Sequence, residues 1–472
     1  MHFYSFTAAT IFFVTLQISV TGHILLHKED VSSAIGWMGL VWLAPIVGSI
    51  LYILFGINRI RRKASRLYAI SHQHTIPVTK HTTAEHTLPP SLAQLMHLGH
   101  KTHPQHFSIG NRIHALINGD QAYPRMCQVI ANASKEVLIA SYIFNNDPAG
   151  QQFVSALKQA AGRGAKVRVL IDGVGVNYSR PNILHALKSI PEVECGVFLP
   201  SKHPFTLPFV NLRNHRKIMI IDGKTAFFGG MNIAQGNVLA QQPKEPIQDV
   251  TFEVQGPVLA QMARVFEQDW NFATGKSFQA FLPADLTAPL SAKVLSRIVP
   301  DGPDADYGKV AQICLGAISC AQQKIRLVTP YFLPENEILS ALQTAALRGV
   351  HIEIILPKRS NIFGMDLAMQ ANSTRLLKSG IHLYRSQAPF DHSKLFTIDG
   401  QWVFVGSANW DVRSFKLNFE SNMECFSKSL AQEIERIIDA KKAKSEPVLL
   451  NKSYPLYRRL LENAWRLCTP YY

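Results

Sequence analysis

The sequence predicts an α/β fold in which two duplicated α/β units pack around one shared site, preceded by an N-terminal hairpin of two transmembrane helices. Three observations carry this. The stretch "NHRKIMIIDGKTAFFGGMN", Asn214 to Asn232, returns as "DHSKLFTIDGQWVFVGSANWD". His215, Lys217, Asp222, Gly229 and Asn232 each reappear 177 positions later, as His392, Lys394, Asp399, Gly406 and Asn409. A second pair of segments, "ALKQAAGRGAKVRVLID" and "ALQTAALRGVHIEIILP", matches at an offset of 185, so a structural unit repeats and not a short word. Finally, two apolar blocks, each near the ~20 residues that span a bilayer, stand before the first copy.

In chain order, the first apolar block runs from Phe3 to about Leu26 and the second from Ala34 to Ile57, with the polar "HKEDVSS" between them. The second has no charge and carries Trp37, Trp42 and Tyr52. No basic region precedes the first block and no small-x-small cleavage site follows it, which argues for an anchor over a cleaved signal peptide. The cluster "NRIRRKASR" comes next, and by the positive-inside rule it faces the cytoplasm. Residues 67–106 are rich in His, Thr and Pro; they read as a linker containing some short helix, because the histidines lack acidic or cysteine partners at metal-ligand spacing.

The duplicated units occupy 107–290 and 291–472, a division that suits a 472-residue chain too long for one ordinary core. In each, a strand-like segment ("KEVLIASYIF", "QKIRLVTPYF") leads to a helix stopped at Gly164 or Gly349 and then to an apolar strand. Such alternation predicts a largely parallel sheet. The four apolar residues Ile218 to Ile221 read as a strand buried on both faces, ended by the "DG" turn signal. Near the C-terminus, "PLYRRLLENAWRLC" spaces Leu456, Leu460, Leu461, Trp465 and Leu467 for one face of an interfacial helix. The six cysteines form no CxxC and no dense framework, as expected of reduced thiols. The net charge of +15 fits placement against anionic lipid headgroups and would also fit nucleic acid, so charge alone does not decide.

Strand alternation puts His215 and Lys217 on one side of the chain, and the repeat does the same for His392 and Lys394. Two imidazoles and two ammonium groups in one pocket suit a phosphodiester. The lysines neutralise nonbridging oxygens, Asn232 and Asn409 add amide donors, and one histidine attacks phosphorus while the other protonates the departing alkoxide. Each ring needs an acidic partner to orient it. Asp249 follows the first copy and Glu420 the second, which pairs Asp249 with His215 and Glu420 with His392 by chain order. Asp222 and Asp399 lie roughly 13 Å from their histidines along an extended chain, so they are expected to fix a turn.

The pattern H-x-K-x4-D-x6-G-x2-N, present twice, resembles the paired signature of the phospholipase D superfamily. More narrowly, "WLAPIVGSILYILFG" with its basic cluster, "NLRNHRK", "FGGMNIA", "TPYFLP", "AALRGV", "GSANWDVRSFKLNFE" and "RRLLENAWRLCTP" together resemble the bacterial cardiolipin synthases of the phospholipase D type. The resemblance implies a multi-pass enzyme of the bacterial inner membrane with its catalytic region in the cytoplasm. It implies that two phosphatidylglycerol molecules are joined with release of glycerol, without a metal or other cofactor. The catalytic residues it implies are His215, Lys217, Asp222, His392, Lys394 and Asp399, with His215 as nucleophile and His392 as acid. Ser407, where the first copy has Gly230, supplies a hydroxyl for phosphate, and Tyr331 and Arg413 contact substrate. The expected partners are phosphatidylglycerol, other anionic phospholipids and the membrane; nucleic acid is not expected. Other acceptors, including water, and a nucleic-acid phosphodiesterase are the competing readings.

Overall fold

The computed structural model describes residues 2–28, 30–56, 88–200, 212–287, 294–450 and 455–467. The basic cluster at 58–66, the His-rich stretch up to 87 and Cys468 lie outside the described residues. The chain forms two compact units, one within Met1–Arg66 and the other built from Leu67–Ser201 and Asn211–Tyr472.

In the N-terminal unit a helix spans His2–His27. The second apolar block is not one continuous helix, as the sequence had suggested. It forms helices Val31–Leu43 and Pro45–Leu51, separated at Ala44, and then a π-helical turn Tyr52–Gly56. Pro45 has no N–H to continue the first helix and instead opens the second. Val20, Ile24, Ala34, Val41 and Tyr52 pack together, and His23 Nδ1 meets the Tyr52 hydroxyl at 2.8 Å. Among the described residues no helix is long and apolar enough to cross a membrane.

The larger unit is organised by one fifteen-stranded sheet. Its strands are β1 Ser108–Ile117, β2 Glu136–Ser141, β3 Lys166–Asp172, β4 Val193–Phe198, β5 Ile218–Ile221, β6 Thr225–Gly229, β7 Val250–Gln255, β8 Val294–Asp301, β9 Lys324–Val328, β10 His351–Pro357, β11 His382–Ser386, β12 Leu395–Ile398, β13 Trp402–Gly406, β14 Glu420–Phe426 and β15 Ser445–Pro447. Their order across the sheet is β15-β11-β10-β9-β12-β13-β14-β8-β1-β7-β6-β5-β2-β3-β4. Apart from the edge strand β15, the order reads the same from either end once β1 to β7 are matched with β8 to β14. The duplication is therefore a pseudo-twofold, with its axis at the antiparallel β1–β8 seam.

The sheet is mixed and not largely parallel. Only β2-β3-β4 and β9-β10-β11 run parallel, each joined by helical crossovers. The strands after each His-x-Lys return through tight turns, and a tight hairpin leaves only the antiparallel arrangement. In these turns Asp222 and Gly223 have φ of 50° and 59°, and Asp399 and Gly400 have 52° and 62°. Two successive left-handed residues match the right-handed twist of the flanking strands.

Helices Asn118–Ala131 and Pro148–Gly162 help bury an apolar core around Phe144, Phe153 and Leu157 in the first half. Helices Lys309–Cys320, Asn336–Leu347 and Met365–Lys378 bury another around Trp402, Phe396 and Leu342 in the second. The short helix expected within 67–106 is Pro90–Thr102, and it is packed: Leu92, Leu95, Met96 and Gly99 recur at helical spacing and are buried, the first three within the second core.

Candidate active site

The segment before β5 alternates strictly. Asn214 and Arg216 turn into the protein, where both bond the buried Asp269 carboxylate. Arg216 also donates to the carbonyls of Glu420 (2.9 Å) and Asp301 (3.1 Å). That arrangement fixes the backbone carrying His215 and Lys217, which turn the other way. In the second copy Asp391 takes the place of Asn214 and accepts from Lys441 at 2.8 Å.

Each histidine segment pairs with the acidic segment of the opposite half. Asn214 bridges to Phe419, and His215 N donates to Phe419 O at 2.9 Å. In the mirror arrangement Phe390 and Asp391 pair in parallel with Ile247 and Gln248, and His392 N donates to Gln248 O at 2.8 Å. The carboxylates are exchanged as a result. His215 Nδ1 lies 3.0 Å from both oxygens of Glu420, and His392 Nδ1 lies 2.8 Å from Asp249 Oδ2. This corrects the pairing by chain order, since each half orients the other half's imidazole. With Nδ1 engaged, Nε2 is the ring atom left for chemistry.

Both histidines line one cleft of about 910 Å³, together with Asn232, Asn409 and Asp249. Lys217 and Lys394, expected at the phosphate oxygens, are buried and do not line the cleft. Lys217 Nζ donates to His215 O at 2.8 Å, and Lys394 Nζ lies 2.6 Å from His392 O and 3.2 Å from each nitrogen of that ring. Burial, reinforced by Lys217 and Lys394, holds the His215 imidazole well below its usual pKa. Burial and Lys394 bring His392 down to about 4 despite Asp249. Burial also lowers Lys217 strongly and Lys394 to about 8, and it raises the Glu420 carboxyl to about 7. Burial thus disfavours the charged forms of these two histidines, two lysines and Glu420, and a phosphodiester anion beside them favours the cationic forms of the histidines and lysines.

Ser407 is not aimed at a substrate oxygen. Its hydroxyl donates to Glu420 Oε2 at 2.6 Å and accepts from Ser421 N, so it holds the carboxylate that holds His215. Asn418 donates to the other oxygen at 3.1 Å. The counterpart Gly230 leaves space that Lys394 fills: a Cβ there would stand 3.1 Å from Lys394 Cδ and 3.4 Å from Asp249 Oδ1. Asn232 accepts from Ile143 N at 3.2 Å, whereas Asn409 Oδ1 is buried with no hydrogen-bond partner among the described residues.

Asp222 and Asp399 do not line the cleft. Asp222 accepts from the amides of Ser134, Lys135 and Glu136, and Asp399 from those of Gln322, Gln323 and Lys324. Each carboxylate anchors the start of a neighbouring strand and offsets the cost of its own left-handed backbone, as the turn reading anticipated. Of the expected substrate contacts, Tyr331 and Arg413 both line the cleft, and Tyr331 donates to Asn361 at 2.6 Å. Arg213, Tyr142 and Tyr178 also line it, and sequence reasoning missed them. The available signal for Arg213 was its position two residues before His215, on the same alternating face.

Comparison with known proteins places the chain in a family. The family described as "Cardiolipin synthase, PLD-like domain" matches residues 126–270 and 314–442, and "Phospholipase_D-nuclease N-terminal" matches residues 15–56. Cardiolipin synthase 1 of Bacillus anthracis is 30% identical over 471 residues, covering 96% of this chain and 92% of the relative. The cardiolipin synthase of Geobacillus kaustophilus (strain HTA426) is 28% identical over 98% of this chain and 92% of its own length. Among solved structures, the phosphatidylserine synthase of Haemophilus influenzae Rd KW20 superposes with a TM-score of 0.61 at 14% identity, over 79% of this chain and 99% of its own, a likeness of fold. The chain therefore belongs to the cardiolipin synthases of the phospholipase D superfamily and is a phosphatidyltransferase.

Proposed function

We propose that the enzyme joins two phosphatidylglycerol molecules into cardiolipin and releases glycerol through a phosphatidyl-histidine on His215. The observation that carries this reading is the exchanged pair His215–Glu420 and His392–Asp249 in one cleft. His215 begins neutral, as a nucleophile must, and its Nε2 bonds to phosphorus. The bond from phosphorus to the glycerol oxygen breaks, and that oxygen leaves with a proton from His392. A phosphodiester held near the imidazole raises its pKa from about 4 and so favours the protonated acid. As His215 gains positive charge, Glu420 is favoured as the carboxylate. In the second step a hydroxyl of the second lipid attacks phosphorus, the P–N bond breaks, and His392 takes the hydroxyl proton.

Detergent-purified protein given labelled phosphatidylglycerol is expected to yield cardiolipin and free glycerol in equal amounts. Phosphatidic acid as the only lipid product would mean that water is the acceptor. The same assay has an expected pH limit. The Lys394 pKa is lowered to about 8, so its cation is present below that pH and lost above it. The apparent KM for lipid should therefore rise above pH 8, approaching tenfold per unit. A KM that stays flat while kcat falls would place the loss elsewhere than in phosphate binding assisted by the Lys394 cation.

Anchoring at the membrane is part of the same reading. Ile11, Phe12, Ile18, Ile35, Trp42 and Val47 of the N-terminal hairpin are exposed, so the apolar face that would meet lipid is already outward. The amphipathic helix Leu456–Arg466 exposes Leu456, Tyr457, Leu460 and Leu461. It packs on helix Met365–Lys378, and Met365 lines the cleft. The interfacial helix thus stands near the route a lipid would take. Deleting residues 1–66 is expected to release much of the enzyme from membranes, and Leu460→Asp with Leu461→Asp to release most of the remainder. Full retention after both changes would exclude these segments as the anchor.

A further inference from the structure

Arg213 is only 3% exposed, yet among the described residues its Nη2 has no hydrogen-bond partner. The nearest carboxylate, Asp172, lies 4.0 Å from Nε. It is already occupied by the amides of Val174, Gly175 and Asn214. A buried guanidinium that is paired at a distance and has one terminal nitrogen without a hydrogen bond is expensive, and the cost is ordinarily met by a ligand or a closer partner. Arg213 lines the catalytic cleft, as do Arg413 of the opposite half, Tyr142 and Tyr178. The Tyr142 ring stands 5.2 Å from the His215 ring and 6.1 Å from that of Tyr178.

The pseudo-twofold repeats a tyrosine beside each histidine, the Tyr331 ring standing 6.5 Å from that of His392, but it does not repeat the arginines. The counterpart of Arg213 is Phe390, whose ring centre is 6.2 Å from that of His392, and the counterpart of Arg413 is Gly236. The two-histidine, two-lysine site is symmetric and serves one phosphate, whereas the arginine pair occurs once. Arg213 and His215 are two residues apart, roughly 6–7 Å along an extended chain. That is about the reach of a glycerol bridge between two phosphates.

We propose that Arg213, with Arg413, binds a second phosphodiester, that of the acceptor lipid, while the first phosphate is bonded to His215. This rests on the two-step transfer proposed above. Before transfer the region holds the neutral glycerol of the donor, and only an acceptor that carries its own phosphate needs the guanidinium. In the step it serves, the acceptor oxygen bonds to phosphorus, the bond from phosphorus to His215 Nε2 breaks, and the hydroxyl proton passes to His392. Arg213 takes part in no bond change, so it acts as a specificity-determining residue for a charged acceptor.

The test is a competition in mixed micelles of the full chain with phosphatidylglycerol, using ethanol as a neutral acceptor. The ratio of cardiolipin to phosphatidylethanol is expected to fall at least tenfold in Arg213→Gln and to recover in part in Arg213→Lys. Arg413→Gln, which leaves the Arg213–Asp172 contact intact, is expected to lower the same ratio and serves should Arg213→Gln fail to fold. An unchanged ratio, with both products falling together, would overturn the assignment and make Arg213 a donor-phosphate or structural residue. Absence of phosphatidylethanol and of a His215 adduct in the unsubstituted enzyme would instead remove the two-step transfer on which the assignment stands.

Discussion

His215→Ala is expected to abolish cardiolipin formation and the covalent intermediate together, with a loss of at least about 10⁴-fold in kcat. The size follows from the role. With no Nε2 at the head of β5 there is no atom to bond phosphorus, and the remaining lysines and His392 can only orient water. The scaffold should survive, because Asn214 and Arg216 hold this segment to Asp269 without using the imidazole. Removing the ring leaves Glu420 to Ser407 and Asn418, with which it already bonds. The check is turnover of labelled phosphatidylglycerol together with the thermal unfolding midpoint. A folded variant retaining a few per cent of wild-type kcat would exclude His215 as the nucleophile.

His392→Ala should separate the two steps. Glycerol is a poor leaving group without a proton, so the natural donor is expected to react at least about 10³-fold more slowly. An activated phosphatidyl ester, such as a nitrophenyl ester, needs no proton and should still load His215. The loaded enzyme should then persist, because the incoming hydroxyl has lost the base that takes its proton. The predicted outcome is one burst equivalent of nitrophenol followed by almost no turnover. Steady turnover of the activated ester at the wild-type rate would contradict the assignment of His392 to both proton transfers.

The sequence made the duplication legible because the repeated residues are those that chemistry and tight turns constrain. His215 and Lys217 alternate onto one face, and the Asp-Gly turns demand residues that tolerate a left-handed backbone. The role of Asp222 and Asp399 could be read from distance along the chain alone. Other features depend on which strands meet in three dimensions. Nothing local indicates that Asn214 pairs with Phe419 of the other half, yet that pairing exchanges Glu420 and Asp249 between the two histidines. Ser407 was expected at the phosphate from the family resemblance alone, whereas its hydroxyl serves Glu420. The sheet direction was misjudged because helix–strand alternation describes β2 to β4 and β9 to β11 but not the hairpins that follow. A hydropathy reading of the second apolar block does not register the break at Ala44 before Pro45.

In the proposed mechanism two like residues in a pseudo-symmetric site do unlike work, with His215 carrying the phosphatidyl group. It is tested most directly by acid-free quenching of the unsubstituted enzyme during turnover of radiolabelled phosphatidylglycerol, followed by proteolysis and mass mapping of the labelled peptide. Phosphatidyl label is expected on the peptide containing His215 and none on the peptide containing His392. Label on the His392 peptide alone, at a level that rises and decays with turnover, would contradict it.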